Sequence, residues 1–402
     1  MTTTRRRFLQ SVGAAAPLAA LAPGDASGQQ QAGVPDYFAE LGVRPFINAI
    51  GPYSSLGGAV MWPEVIDAMD YAMRVKARMT DLHDAVGARI AELTGAEAAA
   101  VTAGATSAII LGTAACMTQG DEARMERLPD TSGMPNEVVI LESQRYLYDR
   151  SIRAPGAVLV EVASLAEAEK VIGERTAMCF YLLNRPDHPG IDVDDYIALS
   201  RSHGVPIMCD AATTVPPVAN IAATVERGFD LVCYSGGKGL RGPYSAGLLL
   251  GRADLVRNAR MNGSPNHRAY GRSMKVAPEE YLGMLVAVEK SLAFDEEAEY
   301  ERQLRLVNAM GRELARMPGV GIETKVPEGE AREPYIEVRW DAGRYPVSVA
   351  DVKQALRDGN PSIEVRALFL SGGQLHLTAV MLKPGEAEIV TRRVREILEA
   401  HA

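Results

Sequence analysis

The sequence predicts an α/β protein: a mostly parallel, seven-stranded sheet with helices on both faces, followed by a small C-terminal α+β domain. Three observations carry that reading. Short, apolar runs alternate with helix-period segments from about residue 64 to residue 250. The runs are bounded by Gly, Pro, Asp or Ser, as buried strands are. Near Pro318-Gly319 the texture changes to the shorter elements of a second unit.

The first residues stand apart from the fold. Thr4-Arg5-Arg6-Arg7-Phe8-Leu9-Gln10 has the twin-arginine export pattern, an Ala-rich stretch follows from Ser11 to Pro23, and Ala26 and Gly28 supply the small residues of a cleavage site. Residues 1–28 are therefore expected to be a signal segment, with the mature protein in the periplasm and no membrane association after cleavage. The bland alternative is a basic tail.

Residues 29–290 read as the large domain, with an N-terminal arm at its start. Its expected strands are 98–103, 138–141, 158–162, 178–183, 206–209 and 231–234, separated mostly by helical patterns such as 84–93, 107–117, 165–172 and 193–203. The run 246–250 follows its predecessor after only a loop. That gap is too short for a crossover helix, so this strand is expected to be antiparallel. A long helical pattern over 278–315 reads as a connector. Residues 291–402 read as the small domain, with strands at 335–340, 363–367 and 374–379 and helices at 349–356 and 386–400.

Composition bounds the partners. The chain has 402 residues, 47% hydrophobic and 23% charged, with a formal charge of −9. An acidic balance disfavours nucleic acid and anionic membrane surfaces. No apolar run after the signal reaches the roughly 18–20 residues that a membrane-spanning helix needs. Cys116, Cys179, Cys209 and Cys233 all fall in apolar elements without metal-ligand spacing, and read as core thiols.

The chemistry concentrates at strand ends, where ligands sit in open parallel sheets. Strand 206–209 ends in Asp210, and strand 231–234 runs into Ser235-Gly236-Gly237-Lys238-Gly239. A carboxylate and a lysine on successive strands can face one crevice. Pyridoxal 5′-phosphate (PLP) needs that pair: the lysine amine carries the cofactor as a Schiff base, and the acid keeps the ring nitrogen protonated. Alone, Asp210 reads equally as a helix cap and Lys238 as a solvated loop lysine. Strand 98–103 leads into Gly104-Ala105-Thr106-Ser107 at a helix start, a place for the phosphate, with Ser235 as a further contact. Asn184, after strand 178–183, is a candidate for the cofactor's 3′ oxygen, against a turn-forming Asn. His188 in the next loop is a candidate acid or base, against a solvated histidine.

The segment Tyr234-Ser235-Gly236-Gly237-Lys238-Gly239-Leu240-Arg241-Gly242-Pro243 resembles the lysine loop of the selenocysteine-synthase-like family. Further likenesses are Phe46-Ile47-Asn48-Ala49-Ile50-Gly51, Val101-Thr102-Ala103-Gly104-Ala105, Gly271-Arg272-Ser273-Met274-Lys275-Val276 and Gly359-Asn360-Pro361 followed by Arg366. They span residue 40 to the C-terminus and are nearest the D-glucosaminate-6-phosphate ammonia-lyase branch. The resemblance implies a fold type I PLP enzyme, active as a homodimer or an assembly of dimers. It also implies a lyase that acts on a small-molecule amino substrate, an amino acid or amino-sugar acid, by α-proton abstraction and β-elimination, and after hydrolysis releases ammonia and a 2-oxo acid. Related folds place an arginine like Arg366 on the substrate carboxylate. Where that branch tends to stack a His on the cofactor ring, this chain reads Ser143-Gln144-Arg145-Tyr146, which puts Gln144 over the ring. An aminotransferase or racemase of the same fold uses the same residues. A non-catalytic periplasmic binding protein is the alternative from another class.

Overall fold

In a computed structural model, residues 35–183, 191–327, 332–368 and 373–402 are described. The signal segment, Asn184 and His188 lie outside them. Eight strands open the chain: β1 (Phe46–Asn48), β2 (Ala98–Thr102), β3 (Glu137–Leu141), β4 (Val158–Val162), β5 (Thr176–Leu182), β6 (Ile207–Asp210), β7 (Leu231–Ser235) and β8 (Gly247–Gly251). Strands β2 to β8 form one seven-stranded sheet in the order β2-β8-β7-β6-β5-β3-β4. Strand β8 runs antiparallel to both β7 and β2, as the short loop before it requires, and the other pairs are parallel.

Alternation along the strands builds two apolar layers. Ile207 and Cys209 pack on one face of the sheet, and Met208 on the other. Two-sided burial is why these strands read as continuous apolar runs rather than alternating ones. Helix α1 (Gly104–Thr118) lies on the Met208 face and is buried almost all round, with Ser107–Ile109 and Leu111–Thr118 all inside. All four cysteines are free and buried, and burial raises the thiol of Cys116 to about 12. They are core side chains.

The expected connector is two helices, α2 (Pro278–Ala293) and α3 (Glu296–Leu314). Asp295 divides them: its carboxylate accepts the Ala298 N–H, the bond an N-cap makes. The small domain adds β9 (Val320–Lys325), β10 (Tyr335–Trp340), β11 (Ser362–Glu364), β12 (Arg366–Leu368) and β13 (Gln374–Thr378). Two details differ from the sequence reading. The run 363–367 is two short strands, because it serves two sheets: β11 pairs with β1, while β12 joins the sheet β12-β13-β10-β9. The arm, assigned from sequence to the large domain, contributes Ile47 and Ala49 to the small-domain core. It then returns to the large domain as residues 58–62.

Candidate active site

The register that pairs Asp210 with Cys233 sets the end of β6 beside β7, and Ser235 is the last residue of β7. The loop that follows holds Lys238 over the same end of the sheet. Glycines permit the close packing there. A Cβ on Gly239 would lie 2.0 Å from the Val215 carbonyl oxygen, and one on Gly247 would lie 2.5 Å from the Gly104 carbonyl carbon. Gly247 faces Thr102 across one strand pair and Ser235 across the other, so it draws the start of α1 and the lysine loop together.

The arm clamps this loop from outside. Ala59 N–H donates to the Gly237 carbonyl at 2.8 Å, and Trp62 Nε1 donates to the Leu240 carbonyl at 3.2 Å. The Arg241 guanidinium lies 3.7 Å from the centre of the Trp62 ring, while its Nε donates to Val60 O at 2.9 Å. Trp62 and Arg241 are contributors that the sequence reading did not single out. Trp62 carries no local signal, since its partner lies 178 residues away in the chain.

Lys238 is half-buried. Burial pulls its amine below the usual lysine range, and the Asp210 carboxylate partly opposes that pull. The two groups therefore sense each other's charge, as a lysine and an acid sharing a cofactor must. Asp210 is 5% exposed. One carboxylate oxygen accepts the Tyr146 hydroxyl at 2.6 Å; the other accepts Ala212 N–H at 3.0 Å and the Cys233 thiol at 3.5 Å. A carboxylate offers about four lone-pair sites. Three are in use, which leaves room for one further donor such as a ring N–H.

Helix α1 begins at Gly104 with no side chain capping its first turn, and no acidic residue lies in that turn. Gly104 and Ala105 are half-buried and Thr106 is exposed. The Ser107 hydroxyl turns back to donate to Ala103 O at 2.8 Å, so Thr106 is the hydroxyl left to face an anion. Ser235 is half-buried, at the far side of Gly247. These are the donors that a phosphate needs, and with Lys238 and Asp210 they fit PLP.

Gln144 is 1% exposed. Its Oε1 accepts the Leu182 N–H at 3.1 Å and its Nε2 donates to Leu182 O at 3.5 Å. The backbone end of β5 thus takes up the amide, and what it can offer a ring is its flat face. Arg366 is exposed at the start of β12, opposite His376. A cavity of about 320 Å³ opens at Lys238 between the two domains, and Arg366 is not among its lining residues. Arg332 is, stacked on Tyr300 at 4.4 Å and paired with Glu297 at 3.2 Å.

No established family model matches the chain, but individual proteins do. It is 29% identical over 380 residues to the D-glucosaminate-6-phosphate ammonia lyase of Salmonella typhimurium, covering 91% of this chain and 98% of that one. A solved structure of D-glucosaminate-6-phosphate ammonia-lyase superposes with a TM-score of 0.80 at 27% identity, covering 91% and 99%. An L-seryl-tRNA(Sec) selenium transferase of Moorella thermoacetica is 26% identical, over 89% of this chain and 82% of that one. The 5′-C-glycyluridine monooxygenase-decarboxylase of a Streptomyces species reaches 33% over 377 residues, covering 90% and 92%. The chain belongs to the selenocysteine-synthase-like family of PLP enzymes. Serine palmitoyltransferase from Sphingomonas wittichii shares the fold alone, at a TM-score of 0.57 and 15% identity. Membership of this family makes the protein a fold type I, PLP-dependent enzyme, and the ammonia lyases among its relatives support activity of lyase type.

Proposed function

We propose that this enzyme is a lyase that removes the α-proton of an unphosphorylated amino substrate and expels a β-substituent, after which water hydrolyses the resulting enamine, through its imine, to ammonia and a 2-oxo acid. The observation that carries the reading is Lys238, its amine pulled down by burial, at the wall of a cavity and within the field of Asp210. PLP, when bound, supplies the electron sink that makes an α-carbon acidic. The protein does the rest. A lysine held below its usual range can accept a proton at Nζ at a lower pH than an ordinary lysine could. Asp210 holds a proton on the ring nitrogen. The start of α1, Thr106 and Ser235 are suited to anchor the phosphate, and the flat amide of Gln144 to lie against the ring.

Cavity chemistry supports an unphosphorylated substrate. Glu296, Glu297, Glu299 and Glu333 line it, against Arg241 and Arg332 besides Lys238. Glu297 already engages Arg332, and Val60 O and Trp62 occupy Arg241. Among the described residues, these walls offer no free cluster of cations to a phosphate dianion. Arg366 remains our proposed grip on the substrate carboxylate, reached from the small domain, and His188 a proposed second acid or base. The apolar side chains exposed on the arm and the following helix, among them Tyr37, Phe38, Leu41, Ile66 and Tyr71, support a homodimer or an assembly of dimers.

The test is a screen of amino acids and amino sugars that scores ammonia, 2-oxo acid and CO₂ separately. Ammonia and 2-oxo acid formed in equal amounts, without an added acceptor, are expected. Turnover that demands a 2-oxo acid acceptor would make the enzyme an aminotransferase. Inversion alone would make it a racemase, and CO₂ without ammonia a decarboxylase.

Export is proposed on the Arg5-Arg6 motif. A route that carries folded proteins delivers an enzyme already loaded with cofactor. Replacing both arginines by lysine is expected to strand full-length, active enzyme in the cytoplasm, as cell fractionation reads. Wild-type protein found uncleaved in the cytoplasm would reduce the segment to a basic tail.

A further inference from the structure

The turn after β3 is anchored with unusual thoroughness, and its anchors converge on Asp210. Gln144 is tied to the Leu182 backbone at the end of β5. Arg145 Nε binds Asp149 at 2.6 Å, and the Tyr146 N–H donates to the same carboxylate at 3.3 Å. The Tyr146 ring lies nearly parallel to Phe180, 20° between planes and 6.3 Å between centres. So held, its hydroxyl passes over the end of β5 and donates to Asp210 Oδ2 at 2.6 Å.

We propose that Tyr146 is a positioning residue that fixes the Asp210 carboxylate, ionised and in one rotamer, with its remaining lone pair presented to the cofactor's ring nitrogen. The inference rests on the assignment of Asp210 to that nitrogen. Two considerations support it. Sheet order is β6-β5-β3, so no strand pair brings this turn to Asp210, and only a long side chain spans the gap. Burial, and then the Asp210 charge, push the phenol far above its ordinary range. The hydroxyl therefore stays protonated and donates to the carboxylate. A charge-assisted hydrogen bond of this kind stabilises the ionised carboxylate. It reaches the chemistry only through Asp210.

Tyr146→Phe in the holoenzyme tests this. Because Phe keeps the ring and its packing, the melting temperature should stay close to wild type. We expect the acid limb of the visible cofactor band to move up by about one pH unit, and PLP dissociation to quicken roughly tenfold, the size of one such hydrogen bond. The discriminating step is a double-mutant cycle. In an Asp210→Asn background, the same Tyr146→Phe change should alter PLP dissociation less than about twofold, since the carboxylate charge through which the bond acts is gone. A folded Tyr146→Phe protein with an unmoved band and unchanged dissociation overturns the proposal, as do additive effects in the cycle. A colourless wild-type protein would overturn the cofactor reading as well, so the two failures are distinguishable.

Discussion

Replacing Lys238 by alanine is expected to abolish turnover, by at least about 10⁴-fold, because one change removes both the cofactor's attachment and the base. PLP should then remain weakly and noncovalently, held by whatever grips its phosphate and ring nitrogen. Competing lysines are poorly placed. Lys290 is spent on Glu64 at 2.7 Å, and Glu323 pushes Lys325 upward rather than down. Among the described residues, Lys238 is the lysine whose amine burial pulls down. Borohydride reduction of the wild type followed by peptide mapping checks the assignment directly. A pyridoxyl label on any other lysine would remove Lys238 from its role. The expected pH behaviour follows the same shift: cofactor reloading into apoenzyme should quicken as pH rises, and level off below the pH an ordinary lysine would need.

Much of this site was legible because it lies at strand ends. Asp210 closes a run of buried residues and Lys238 follows the next, so periodicity alone put both on one edge of the sheet. The antiparallel β8 was legible too, since a loop of that length permits nothing else. What stayed hidden depends on contacts distant in sequence. The arm's allegiance to the small domain comes from three pairs between β1 and β11, more than 300 residues apart, and a three-residue strand carries no periodicity to read. Strand β9 was missed because half of it is exposed and polar. Tyr146 was visible as a residue of the turn after β3, yet nothing local says that its hydroxyl crosses β5. The clamp of Trp62 on Arg241 was hidden for the same reason. Gln144 was noticed for its position, but its binding to Leu182 became evident only from the register of β5 against β3.

Asp210→Asn is the sharper test of the chemistry, since it is expected to leave the molecule's architecture intact. Asparagine has the same shape, and the local bonding can be rearranged without loss. Its carbonyl oxygen can still accept Ala212 N–H, and its amide can donate to the Tyr146 hydroxyl, which accepts as well as donates. No buried group is stranded, so stability should change by no more than about 1 kcal/mol. What the amide lacks is charge. A neutral partner cannot hold a proton on a ring nitrogen, and an unprotonated ring is a poor sink for the electrons released at the α-carbon. Turnover is therefore expected to fall by roughly 10²–10⁴-fold, the range that positioned proton chemistry contributes. The variant should still be coloured and still carry its cofactor on Lys238. Its deficit should lie in kcat rather than in KM, because the lost interaction matters most when charge develops. A folded, PLP-loaded Asp210→Asn enzyme working at near wild-type rate would show that Asp210 does not face the ring nitrogen. The role proposed for Tyr146 would then fall with it, while the assignment of Lys238 would stand.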